Sequence, residues 1–277
     1  MEKLKSLFLH AIVATQLVFL DNTNAQSNMK KDQALDARQQ AIVTISAFTA
    51  QGNMIQLAKA LNTGLDAGLS INEIKEIIVQ LYAYTGFPRS LNALNTFMSV
   101  LKERKDKGIN DQLGKEPSPL PTNKSKLQFG TEIQTKLVGQ PVKAEIYNFA
   151  PAIDQFLKEH LFGDIFGRDN LDWKTRELAT ISALATLGGV ENQLRSHFGV
   201  GIYNGLTEDQ LKHLVSIIQS TIGSKAGNAA GEVLQTVIKQ KDDSKTKRPA
   251  AAIADQNSTS IFRKGQKITN NHFTGNA

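Results

Sequence analysis

The chain has 277 residues, a formal net charge of +6 and no cysteine. The missing thiol excludes disulfides, thiolate metal sites and thiol redox chemistry. The basic residues are scattered, densest around Lys239 to Arg248 and interleaved there with Asp242 and Asp243, which reads as a solvated linker rather than a nucleic-acid face.

Residues 1–25 read as an export signal. Lys3 and Lys5 precede an apolar run from Leu7 to Leu20, interrupted by His10, Thr15 and Gln16. Thr23-Asn24-Ala25 then offers a small-residue cleavage site before Gln26. The run falls short of the roughly 20 apolar residues that a membrane span needs. The expectation is a chain exported to a periplasm or secreted, with no membrane contact after cleavage.

An internal repeat sets the architecture. DARQQAIVTISAFTAQGN from Asp36 aligns with DWKTRELATISALATLGG from Asp172, and AGLSINEIKEII from Ala67 with NGLTEDQLKHLV from Asn204, after one extra residue in the second copy. Asp172 precedes an apolar run at helical spacing and is placed to cap it. Ser70 with Glu73, and Thr207 with Gln210, form capping boxes. Each copy therefore reads as helix, Gly turn, helix, capped helix, and a last helix beginning near Pro88 or Lys225. Pro88 suits a helix start because it has no amide to lose there. The expected fold is all-α, with one repeat over 26–114 and a second over 127–240. The Pro-, Ser- and Lys-rich stretch 115–126 reads as a linker between them. In the second unit the helical signal returns near Thr131, and Asn148 to Phe162 reads as a helix leading inward, with Pro151 near its start.

The candidate chemistry sits in the second repeat. Glu177 lies four and seven residues before Ile181 and Leu184, and His197 lies three residues after Leu194 and four before Gly201. Both side chains therefore fall beside apolar stripes of successive helices. A carboxylate and an imidazole on facing helices are the parts of a proton-transfer site. The plainer alternative makes Glu177 a charge complementing the helix dipole, and His197 a core residue bonded to a backbone carbonyl. The first repeat has Ala41 and Ala60 at the two places.

GDIFGRDNLDWKTREL followed by QLRSHFGVGIYNGLTEDQL resembles the gamma-carboxymuconolactone decarboxylase family. Gly163, Asp164, Arg168, Arg176, His197 and Asn204 fall on its pattern, while Phe166 replaces the usual Trp. LYAYTGFPRSLNAL in the first repeat matches the family's Y-x-G-x-P segment, which the second repeat lacks. The resemblance implies a helical fold, no metal or organic cofactor, and decarboxylation of a small carboxylated lactone. It implies a homo-oligomer, for a tandem chain a trimer of chains or a smaller assembly. It further implies His197 as proton donor with Glu177 beside it, Arg176 or Arg168 as a carboxylate clamp, and Tyr84 and Phe87 as pocket walls. One departure bears on this: Gln193 stands where the related enzymes usually have Glu. An exported lactonase or small isomerase fits the same site, and so does a non-catalytic oligomeric scaffold. Relatives of the alkylhydroperoxidase D type use a C-x-x-C pair where this chain has Val190 and Gln193, so their chemistry is excluded. After residue 240 the chain is polar and Lys-rich. It ends in IFRKGQKITNNHFTGNA, which resembles the opening strand of a cupin barrel or is a disordered tail, and is too short to close a barrel.

Overall fold

The computed structural model describes residues 34–246, with side chains to 243. The export segment and the cupin-like stretch lie outside the described residues. The first repeat is α1 (Ala37–Gln51), α2 (Met54–Asp66), α3 (Ile71–Thr85) and α4 (Phe87–Asp106). A leading group follows, α5 (Lys126–Val138), α6 (Glu145–Phe149), α7 (Pro151–Phe156) and α8 (Leu157–Phe166). The second repeat is α9 (Trp173–Leu187), α10 (Glu191–Tyr203), α11 (Glu208–Thr221) and α12 (Ser224–Thr246). No strand occurs among the described residues.

The helix starts follow local chemistry. Asp36 and Asp172 cap α1 and α9, the latter accepting from the Thr175 amide at 2.7 Å. Both capping boxes, Ser70 with Glu73 and Thr207 with Gln210, are formed. Pro88 sits in the first turn of α4.

Two elements differ from the sequence reading. α5 begins at Lys126 rather than near Thr131, because Ser125 and Gln128 make a further capping box. The helix expected from Asn148 to Phe162 is three pieces. Pro151, without an amide and restricting the residue before it, divides α6 from α7. α8 is wound as a π-helix, for which the sequence carries no local signal. It lies so close to α5 that a Cβ at Gly130 would fall 1.6 Å from the Lys158 carbonyl oxygen.

α1 and α9 pack along one another at the centre of a core shared by both repeats. Accordingly α9 is buried all round, from Arg176 to Ala185, rather than along one stripe. The repeats meet reciprocally. α3 of the first lies on α9 of the second, and α11 of the second lies on α1 of the first. Close approaches confirm the sequence register. A Cβ on Gly64 would meet Ile45, Leu69 and Ala41, and one on Gly201 would meet their counterparts Ile181, Leu206 and Glu177.

The connector between the repeats is anchored. Gln112 and Leu113 carbonyls accept from the amides of Ile71 and Asn72, each at 2.9 Å, satisfying donors at the head of α3. The Asn72 side chain donates to the Gly114 carbonyl at 3.1 Å and to Glu116 at 2.9 Å. Gly114 has φ +80°, and a Cβ there would lie 2.1 Å from Ser70 Oγ. Further along, Asp169 accepts from the Ser118 amide and hydroxyl and from Lys115.

Candidate active site

Gly188 and Gly189, both at positive φ, turn the chain from α9 into α10. That turn sets Glu177 and His197 against each other, His197 Nδ1 lying 2.7 Å from Glu177 Oε2. When Glu177 is ionised it can only accept, so that Nδ1 donates to it and Nε2 is the atom left for a reacting partner. Glu177 is wholly buried, whereas the His197 side chain is 19% exposed. The imidazole is thus held from behind and reachable from one edge.

The first repeat supplies the next wall. Tyr84, near the end of α3, meets the His197 ring edge-on, with centroids 5.6 Å apart and planes at 82°. Its hydroxyl is buried. Burial first, and then the Glu177 carboxylate, push the phenol far above its ordinary value, with a hydrogen bond to Thr180 and then the Arg176 charge opposing. It therefore remains an O–H donor at any ordinary pH.

The two arginines lie elsewhere. Arg176 is fully buried and donates through Nη1 to Gln80 at 2.9 Å and through Nη2 to Glu76 at 2.8 Å. Arg168 donates through Nε to both oxygens of Glu76, at 2.9 and 3.0 Å, and Asn170 adds a third donor at 3.1 Å. Gln80 returns two bonds to α9, to the Arg176 carbonyl and the Thr180 hydroxyl, each at 2.9 Å. Burial lowers the proton affinity of Arg176 and the Glu76 carboxylate restores part of it. The structure thus directs these terminal nitrogens to the seam between the repeats. Phe87 is not brought to His197 either; it stacks on Tyr82 at 4.2 Å and is largely exposed. Gln193 is exposed, one turn before His197.

Glu76 and Gln80 were missed in the sequence. Their partners lie 92 to 100 residues away, and nothing local marks a Glu or Gln on a capped helix as buried. The one available signal is that both share a helical face with Tyr84, at steps of four.

No group of three or more potential metal ligands occurs among the described residues, and no described helix is long and apolar enough to cross a membrane.

Two helical repeats sharing one core, with a carboxylate–imidazole pair in the second and an aromatic wall from the first, define a tandem all-α protein of the carboxymuconolactone decarboxylase type. The comparisons agree: residues 20–97 and 151–236 match the carboxymuconolactone decarboxylase family, and the chain belongs to it. It is 32% identical over 114 residues to the 4-carboxymuconolactone decarboxylase of Acinetobacter baylyi, covering 40% of this chain and 84% of that protein. It is also 32% identical over 94 residues to an uncharacterized 15.0 kDa protein of the nqo9-nqo10 intergenic region of Paracoccus denitrificans, covering 34% of this chain and 70% of that one.

Proposed function

We propose that the protein catalyses cofactor-free decarboxylation, or the related proton transfer, on a small carboxylated lactone or similar ring. The Glu177–His197 pair carries this reading, with its Nδ1–carboxylate contact of 2.7 Å and one imidazole edge reachable. Family membership and the likeness to a 4-carboxymuconolactone decarboxylase support it.

In the proposed step the bond between the ring carbon and the carboxylate breaks and CO2 departs. The electron pair passes into the unsaturation of the lactone. The imidazolium Nε2 then gives its proton to carbon and recovers one from solvent. Glu177 balances the charge of the imidazolium and fixes its orientation. Arg176 holds α3 to α9 through Glu76 and Gln80, and so keeps Tyr84 against the imidazole. In this reading Arg168, 35% exposed and held on Glu76 through Nε, meets the substrate carboxylate.

Assembly into an oligomer of tandem chains is part of the same proposal. Phe87, Leu91 and Met98 form an exposed apolar stripe on α4, and Phe149 and Phe156 are exposed on α6 and α7. An exported setting, expected from the N-terminal residues, points to a substrate met outside the cytoplasm.

The test is CO2 release by the purified full chain from a panel of carboxylated unsaturated lactones. The wild type should turn over at least one, and His197→Asn should lose about 10²–10⁴-fold in kcat. Unchanged turnover in that variant, or none on any panel member by the wild type, overturns the reading.

A further inference from the structure

A cleft of about 660 Å³ opens where α8 ends and α9 begins, a size that suits a small molecule. Phe166, Leu171 and Trp173 give it apolar walls, and Arg168 and Lys174 border it. The Trp173 indole is fixed there, its N–H donating to the Phe166 carbonyl at 3.1 Å.

The charges around this cleft do not cancel. Two carboxylates line it, and both are engaged. Asp169 accepts from Lys115 and Ser118. Asp172 accepts from the Thr175 amide at the positive end of α9. Arg168 holds Glu76 through Nε alone. Lys174 is partly buried and has no carboxylate partner among the described residues. The first repeat shows what is missing. Arg38 stands there for Lys174 and is answered by Glu73 at 2.6 Å. In the second repeat Gln210 stands in the place of Glu73, and Trp173 in that of Ala37. The second copy therefore carries a released cation with an indole next to it, and both line one cleft.

We propose that this cleft binds a small flat ring bearing a carboxylate, the ring lying against Trp173 and the carboxylate meeting Lys174 and Arg168. An unpaired cation beside an aromatic wall complements such an anion, whereas a metal ion would face two positive charges. Trp173 and Lys174 are specificity residues here and not catalytic ones. Asn204, which also lines the cleft, follows His197 by seven residues. That spacing is two turns along one side of α10, about 10 Å from the imidazole position. The ring is thus captured short of the reacting atoms. The ligand class comes from the cleft's own lining; only the identity of this ligand with the substrate rests on the decarboxylase reading.

Trp173 is the single tryptophan of the chain, so its fluorescence reports on the cleft directly. The full chain is titrated with 2-furoate, with its neutral counterpart 2-furamide, and with acetate, which lacks the ring. The emission change should saturate with 2-furoate, and the other two should bind several-fold more weakly. Lys174→Gln should weaken 2-furoate about five-fold, the contribution of one partly solvated ion pair, and Lys174→Arg should restore it. Absence of saturation overturns the proposal. So does equal binding of 2-furoate and either control, or equal binding by wild type and Lys174→Gln. A crystal structure with 2-furoate fixes the place: the anion on Lys174 beside Trp173 upholds the proposal, and a seat elsewhere overturns it. If Lys174→Gln does not fold, that structure and the wild-type ligand comparison decide. Binding of 2-furoate without turnover of any lactone would leave the cleft standing and remove the decarboxylase reading; turnover without such binding would do the reverse.

Discussion

At the scale of single residues, the decisive fact is that Glu177 is sealed and His197 is not. Removing the imidazole leaves a buried carboxylate with neither oxygen bonded, and breaking such a pair from one side costs on the order of 3 kcal/mol. His197→Ala should therefore lower Tm by roughly 5–10 °C for a chain of this size. The first repeat shows how the cost is avoided, because Ala41 and Ala60 fill the same places and both are buried. The double variant Glu177→Ala, His197→Ala should regain part of the loss, giving a favourable coupling of at least about 1 kcal/mol in a double-mutant cycle. Strictly additive Tm losses would show that the two side chains do not act as a pair. The pair itself was legible in the sequence, from helical spacing and from the joint loss in the first copy. The Glu76–Arg176 bridge was not. A buried ion pair between residues 100 apart leaves no periodicity to read, and family spelling alone assigned Arg176 to the substrate.

At the scale of elements, local signals worked wherever a side chain caps its own helix. Asp36, Ser70, Asp172 and Thr207 all do so. Ser125 carried the same signal and was overlooked beside the Pro- and Lys-rich stretch that precedes it. What composition hid is that the polar connector is tied down along residues 112–118, to Asn72 and to Asp169. The Ser118 amide first, then Lys115 and the Ser118 hydroxyl, hold the Asp169 carboxyl well below the usual carboxylate range. A carboxyl depressed in the folded state contributes its hold above its unfolded value, about 3.9, and loses it as pH falls toward the folded value. The anchor should therefore be intact from neutral pH down to about pH 4 and weaken only below that. Limited proteolysis within residues 107–124 reads this directly. Asp169→Asn should be cut faster than wild type at pH 7, and equal cutting rates there would mean that Asp169 anchors nothing.

At the scale of the whole molecule, the site is divided between the repeats. Glu177 and His197 come from one, Tyr84 with its supports Glu76 and Gln80 from the other. A fragment of residues 127–240 holds the reacting pair but lacks α1 and α3, which cover α9 on two sides. It should expose the apolar face of α9 and show no turnover, checked by dye binding and by the same lactone assay. Adding a 34–114 fragment should restore activity if the two associate, and an active 127–240 fragment alone would contradict the division. The all-α class and the tandem plan were legible because the repeat is written twice in the sequence. The shared core was not, since nothing in either copy says that its central helix is covered by the other.

One chain holding both halves of its site has a kinetic consequence. Where the halves belong to separate molecules, their meeting is second order and fails on dilution. A covalent connector makes it first order, at an effective concentration that short linkers bring to the millimolar range. The join of Tyr84 to His197 is therefore as complete at picomolar protein as at micromolar.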